Sequence, residues 1–355
     1  MAMERGLKIF LAIIAVSSLI IIAVGGAQLS AFIGAPPSGS DALGEWKLSK
    51  YKGYSFDGEL TEFTSGDPKA ADYSVTISSA SDLITGSYSG SGFKGAMNGR
   101  IFEASFITAD SDYLMFGYLD SASEMHLGVL MLKDGKVSSS MSVYNRDGSR
   151  TVYEDNCKTI IGDWYVNTSV NNGTPIAIGT ASVSDQDYSI IRGEMTYSPD
   201  VKRTYSGFIT PLLMGTANYG MIIDTDGNVW STLSTRGQIR IMNGYSEYLM
   251  TKDGGFVQSF VSIDLEGLKK HDSGGPSVWV KEQSSYTIMG IVDDGKEYEL
   301  YGNYISSDSV ISVILKDGSD VYSGFMTYSN GKVTISAVNG TGEAIVLEMG
   351  EDGLS

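Results

Sequence analysis

The residues whose types come closest to nucleophilic chemistry are Asp272-Ser273-Gly274-Gly275-Pro276, ahead of a Gly290-Ile291-Val292 run. A serine hydroxyl in such a loop can attack a carbonyl, with backbone N–H groups at Ser273 and at the position two before it, His271, stabilising the oxyanion. A histidine base is also required, and the chain holds only His126 and His271. Asp224-Thr225-Asp226-Gly227-Asn228 has the spacing that opens a calcium loop but lacks the later bidentate Glu, so a hairpin turn is the expected use. Among the aromatics, Trp230 has no Trp counterpart in the first repeat described below, which makes it the expected exposed binding residue. Cys157, the single cysteine, is expected to be a small buried residue.

Asp272–Pro276 together with Gly290-Ile291-Val292 resembles the nucleophile loop of trypsin-like serine proteases, and the resemblance implies Ser273 as nucleophile. Upstream, however, His126 sits in Glu124-Met125-His126-Leu127-Gly128 rather than in that family's Thr-Ala-Ala-His-Cys. The segment also aligns with a linker, 154–161, in the first repeat. It is therefore read as a linker turn, with the Ser273 hydrolase as the least favoured of three functions. No catalytic residue, metal ligand or cofactor is assigned.

Composition narrows the function classes. With 42 acidic and 25 basic residues the net charge is −17, which opposes nucleic-acid binding because that affinity comes largely from Lys and Arg displacing counterions. One cysteine permits neither an intrachain disulfide nor a cysteine-rich zinc site. At 42% hydrophobic and 10% aromatic residues, the chain can bury enough surface to fold.

The elements that must carry these residues begin with an apolar stretch. Residues 1–34 read as a signal anchor or signal peptide, because no charge follows Lys8 until after Ser40 and Ile9–Gly34 is long enough to span a bilayer. Arg5 and Lys8 precede the span, so the remainder is expected outside the membrane. Gly25-Gly26-Ala27 offers a cleavage site before Gln28, which would give a secreted protein. Glu4-Arg5-Gly6-Leu7 resembles the processing site of archaeal type IV pilin-like precursors. Residues 35–43 read as a linker, and sequons at Asn167, Asn172 and Asn339 are compatible with export.

Beyond the linker the chain repeats. Trp46, Trp164 and Trp279 are nearly evenly spaced, and Tyr-Ser-Gly recurs at Tyr88, Tyr205 and Tyr322, a period of 117 residues. Asp-Gly and Asn-Gly turns separate short runs rich in Val, Ile, Tyr, Thr and Ser. The expected fold is all-β: tandem antiparallel meanders closing as barrel, sandwich or propeller, with each Gly-x-Trp plugging one end. The expected units are 44–156, 157–270 and a truncated third repeat, 271–355, whose open sheet edge could pair with another copy. The function expected from this organisation is a membrane-anchored or secreted cell-surface protein with a non-enzymatic binding, adhesion or envelope-structural role. The alternative is an extracellular glycan-binding or glycan-cleaving protein, and expected partners are the membrane and a surface protein or glycan.

Overall fold

The computed structural model describes residues 38–350 apart from short segments, the longest being 108–111, 150–156, 169–176, 211–217, 253–264 and 305–309. The expected membrane-directed stretch lies outside the described residues, and no helix among them is long and apolar enough to cross a membrane.

The described chain is all-β, in three barrel-like antiparallel sheets. The first contains β1 (Gly44–Tyr54), β2 (Leu60–Thr64), β3 (Val75–Ala80), β4 (Leu83–Tyr88), β5 (Ser91–Asn98), β6 (Ile101–Ile107), β7 (Asp112–Ser121), β8 (Glu124–Lys133) and β9 (Lys136–Asn145). It curls round until β9 pairs with β1, whose other side takes β3 at Gly44–Trp46 and β2 at Lys50–Tyr54. The second is a closed barrel of β10 (Gly162–Thr168), β11 (Ala177–Asp187), β12 (Ile190–Ser198), β13 (Val201–Thr210), β14 (Asn218–Asp224), β15 (Val229–Thr235), β16 (Gln238–Met242) and β17 (Glu247–Thr251), sealed by pairing of β10 with β17. The third runs β18 (Lys269–His271), β19 (Ser277–Gln283), β20 (Thr287–Asp293), β21 (Glu297–Tyr304), β22 (Val310–Asp317), β23 (Asp320–Ser329), β24 (Lys332–Asn339) and β25 (Ala344–Met349).

Local sequence explains the meander. Ser89-Gly90, Asp134-Gly135 and Asn330-Gly331 join β4–β5, β8–β9 and β23–β24, with φ positive at both residues (50° and 82°, 51° and 69°, 53° and 76°). That pair of conformations matches the right-handed twist of the flanking strands, and Asp, Asn and Gly tolerate it best. Each sheet turns one face into its own interior, and strands at the contacts between sheets, such as β9 and β14, are buried on both faces. Interior clusters form around Trp46 and Phe102 in the first, Trp164 and Ile222 in the second, and Leu300 and Ile335 in the third.

Three similar sheets do recur, but at unequal spacing and not with the expected 117-residue period. In each sheet a glycine faces a bulged residue of the preceding strand: Gly86 opposite Ile77, Gly193 opposite Val183 and Gly290 opposite Val280. A Cβ at these glycines would lie 2.2, 1.9 and 2.0 Å from the carbonyl oxygens of Thr76, Ser182 and Trp279. No side chain fits there, so the same steric requirement marks the same position three times. A second mark agrees, since Gln186 and Gln283 accept the N–H of Ile160 and Leu265 at 2.8 and 2.6 Å. By this register the third sheet is a full eight-stranded copy, not a truncated one, and it starts before residue 271. Tyr88, Tyr205 and Tyr322 fall at the end of β4, within β13 and within β23, so they are not equivalent positions.

The tryptophans divide in the same way. Trp46 and Trp164 plug their sheets as expected, donating Nε1–H to the carbonyls of Ala42 and Ile160 at 2.7 and 2.9 Å. Trp46 lies opposite Val75 and Trp164 opposite Ala181; the matching place in the third sheet, opposite Val278, belongs to Lys270. Trp279 instead takes the place of Thr76 and Ser182, one residue out of phase and therefore on the outer face.

A fourth apolar cluster joins the sheets. Phe116 of the first stacks on Phe208 of the second and meets Tyr219 at a tilt, with ring centroids 6.2 and 4.8 Å apart, and Phe325 of the third belongs to the same cluster. Gly128 faces the Phe208 ring so closely that a Cβ would sit 2.5 Å from it. Polar links accompany the packing: Ser139 Oγ lies 2.6 Å from Ser206 Oγ, Lys52 pairs with Asp187 at 2.7 Å, and Lys94 donates to the Gly342 carbonyl.

Candidate functional sites

The residues singled out by sequence are mostly committed to structure. Trp230 is 2% exposed, donates Nε1–H towards Asp224 Oδ2 at 3.4 Å and packs on Tyr248, so the expected exposed aromatic is a core residue. The reason is parity: Trp230 pairs with Ile222, and both face the barrel interior. Asp224 is fully buried, and its carboxylate accepts the N–H groups of Asp226 and Asn228, both at 2.9 Å, and the Asn228 side chain. The segment is a self-bonded hairpin turn, as expected, with Asp226 paired to Arg203. Ser273 lies outside the described residues, in the connection between β18 and β19. Cys157 packs against the second sheet's core, its thiol 3.6 Å from the Ile209 carbonyl. Of the sequons, Asn167 and Asn339 are buried with Nδ2 donating to the Leu249 carbonyl and to Glu343, whereas Asn172 lies outside the described residues.

The described interior of the second barrel is largely filled by side chains. Its inward side chains leave a cavity of about 10 Å³ lined by Ile160, Val183, Met195, Tyr205 and Ile241, space for about one water.

One outer surface stands out. Trp279 is 38% exposed, with Lys269 Nζ 4.2 Å and Lys281 Nζ 4.8 Å from its ring centroid. Lys269 faces it across β18–β19, and Lys281 reaches the ring from the bulge that follows on β19. Ile291 is directly opposite on β20, and exposed Met289 on the same strand lies opposite Tyr301 of β21. An indole bracketed by two ammonium groups, continuous with an apolar strip, can stack on a flat ligand face and pair with negative charge at once.

Sequence reasoning missed two clusters. Asp120, Glu124 and His126 each place one oxygen or ring nitrogen within 4.8 Å of the others. The tight connection between β7 and β8 brings Asp120, near the end of β7, close to Glu124 at the start of β8, and Glu124 and His126, two apart on β8, share a face. A bulge between Leu119 and Ser121 leaves Asp120 without a cross-strand partner. His126 is fully buried, with Nε2 2.9 Å from Glu124 Oε1 and its ring stacked on Tyr118 at 4.7 Å and 16°. Carboxylates flanking a short turn, with a histidine two residues beyond, were the available signal.

The other missed residue is Glu103. It projects from β6 into the junction, where Ser312 Oγ of the third sheet and Tyr219 Oη of the second donate to Oε1 at 3.1 and 3.4 Å. Burial disfavours the carboxylate and pushes its pKa up to about 7, although the two hydroxyl donors act in the opposite direction.

No family model matches the chain. No curated protein matches it. Among solved structures it is similar to the crystal structure of a protein of unknown function from the DUF3598 family of Nostoc punctiforme, at 10% identity and a TM-score of 0.22, covering 88% of this chain and 95% of that one.

Proposed function

We propose that this chain is a non-enzymatic binding protein of the cell surface, carried outward by the apolar segment 1–34 and either anchored by it or released by cleavage near Gln28. Its contact surface is the outer face around Trp279, and its ligand is an anionic envelope glycan. The observation that carries the reading is Trp279 itself: Trp46, Trp164 and Trp230 are buried, whereas Trp279 lies on the outer face between Lys269 and Lys281.

The test is a titration of the protein with uronic-acid polysaccharides, read through tryptophan emission. Binding should quench or shift the exposed component, weaken with added salt, and drop at least tenfold in Trp279→Ala and in the Lys269→Ala/Lys281→Ala double variant. A neutral glucan serves as the control for charge. Equal binding by wild type and Trp279→Ala would move the contact surface elsewhere, and no retention of any polysaccharide would remove the glycan reading.

A further inference from the structure

We propose that Asp120, Glu124 and His126 form a binding site for one divalent first-row transition ion, with Zn²⁺ as the best match to the donor set. One imidazole and two carboxylates are ordinary ligands for such an ion, and three protein ligands leave coordination positions open to water or to an oxygen of a bound partner. The Nε2–Oε1 separation of 2.9 Å suits two adjacent ligands on an ion with bonds of about 2.0–2.2 Å, which stand roughly 3 Å apart. The widest donor separation, within 4.8 Å, closes with a small rotation of exposed Asp120.

The support behind the imidazole is already in place. Its ring lies flat on Tyr118, and Tyr118 Oη accepts from Thr210 Oγ1 at 3.2 Å, a hydroxyl that belongs to β13 of the second sheet. A ligand held in this way has little freedom to lose on binding. The turn also brings two carboxylates together in a chain of net charge −17, so a divalent cation relieves repulsion that a lone imidazole relieves only when protonated. Through Tyr118 the ion would brace the end of the β7–β8 hairpin against the seam between the first and second sheets.

The test uses the full-length protein stripped with chelator and titrated with ZnCl₂ by calorimetry, with CaCl₂ as the hard-ion control. The expected result is one Zn²⁺ per chain. Affinity should fall at least tenfold in Asp120→Asn, an exposed substitution that leaves packing untouched, and again in Glu124→Gln, while far-UV circular dichroism stays the same. Co²⁺ in place of Zn²⁺ should give visible absorption that His126→Gln removes. If no ion binds with one-to-one stoichiometry, the cluster is an ordinary Glu–His hydrogen bond beside an acidic turn. If one ion binds equally well to Asp120→Asn and Glu124→Gln, it binds elsewhere; either result overturns the site.

Discussion

Trp279 offers a direct optical handle, because its environment differs from that of Trp46, Trp164 and Trp230, all at or below 2% exposure. Acrylamide should quench one emitting class out of two in the wild-type protein. Trp279→Phe should abolish that class and shift the remaining emission to shorter wavelength, with no loss of stability, since the ring covers only part of an outer face. Trp46→Phe tests the opposite case: it keeps most of the buried area but removes the donor to the Ala42 carbonyl. Leaving that acceptor without its indole donor should cost about 1–3 kcal/mol, measurable as a lower urea midpoint at unchanged slope. If Trp46→Phe proved neutral and Trp279→Phe destabilising, the assignment of plug and surface residue would be reversed.

At the scale of elements, the bulge opposite each strand glycine is the recurring device. Gly193→Ala would push a Cβ to 1.9 Å from the Ser182 carbonyl oxygen, and because the obstacle is backbone, the β11–β12 pair must shift. A loss of roughly 2–4 kcal/mol follows from overpacking and broken ladder bonds, whereas Gly66→Ala, where nothing lies within reach of the Cβ, should be silent in the same thermal melts. These strands were largely legible in advance, because alternation and Asp-Gly or Asn-Gly turns act over a few residues and need no tertiary information. Their spacing from one sheet to the next was not. Tyr-Ser-Gly is what an alternating strand made of common residues readily produces, and equal spacing at Tyr88, Tyr205 and Tyr322 concealed that the connections in the three sheets differ in length. β9 shows a related limit: Ser138, Ser139, Ser140 and Ser142 are all buried, one face turned inward and Ser139 against Ser206 of the second sheet. Serine on a strand reads as solvent-facing until the neighbouring sheet is known. The Asp120–Glu124–His126 cluster was missed for the complementary reason, since it gathers across a turn and includes a histidine whose burial the sequence does not announce.

For the molecule as a whole, the decisive feature is that three sheets share one junction and that a carboxyl group sits inside it. The apolar cluster around Phe116, Phe208, Tyr219 and Phe325 holds the units together, while Glu103 meets Tyr219 and Ser312 from two different sheets at once. With its pKa raised by burial to about 7 in the folded protein and near the ordinary 4.5 once unfolded, Glu103 binds more protons in the folded state between those values. Its contribution to stability is therefore complete below about pH 4.5 and is lost as pH rises through about 7. The loss amounts to something on the order of 3 kcal/mol above that range. Other carboxylates pull the opposite way, among them Asp41, Asp57 and Asp147, which are held below their ordinary values chiefly by hydrogen bonds with Ser38, Lys136 and Ser149. The informative quantity is thus the difference between wild type and Glu103→Gln, a variant that keeps an acceptor for both hydroxyl groups but cannot ionise. Urea unfolding at a series of pH values should show the two proteins nearly equal at pH 4. The variant should gain on the wild type steadily between pH 4.5 and 7 and hold a constant advantage at pH 8. A difference that does not change with pH would mean that Glu103 titrates alike in the folded and unfolded chain, and that the junction admits water at that carboxyl.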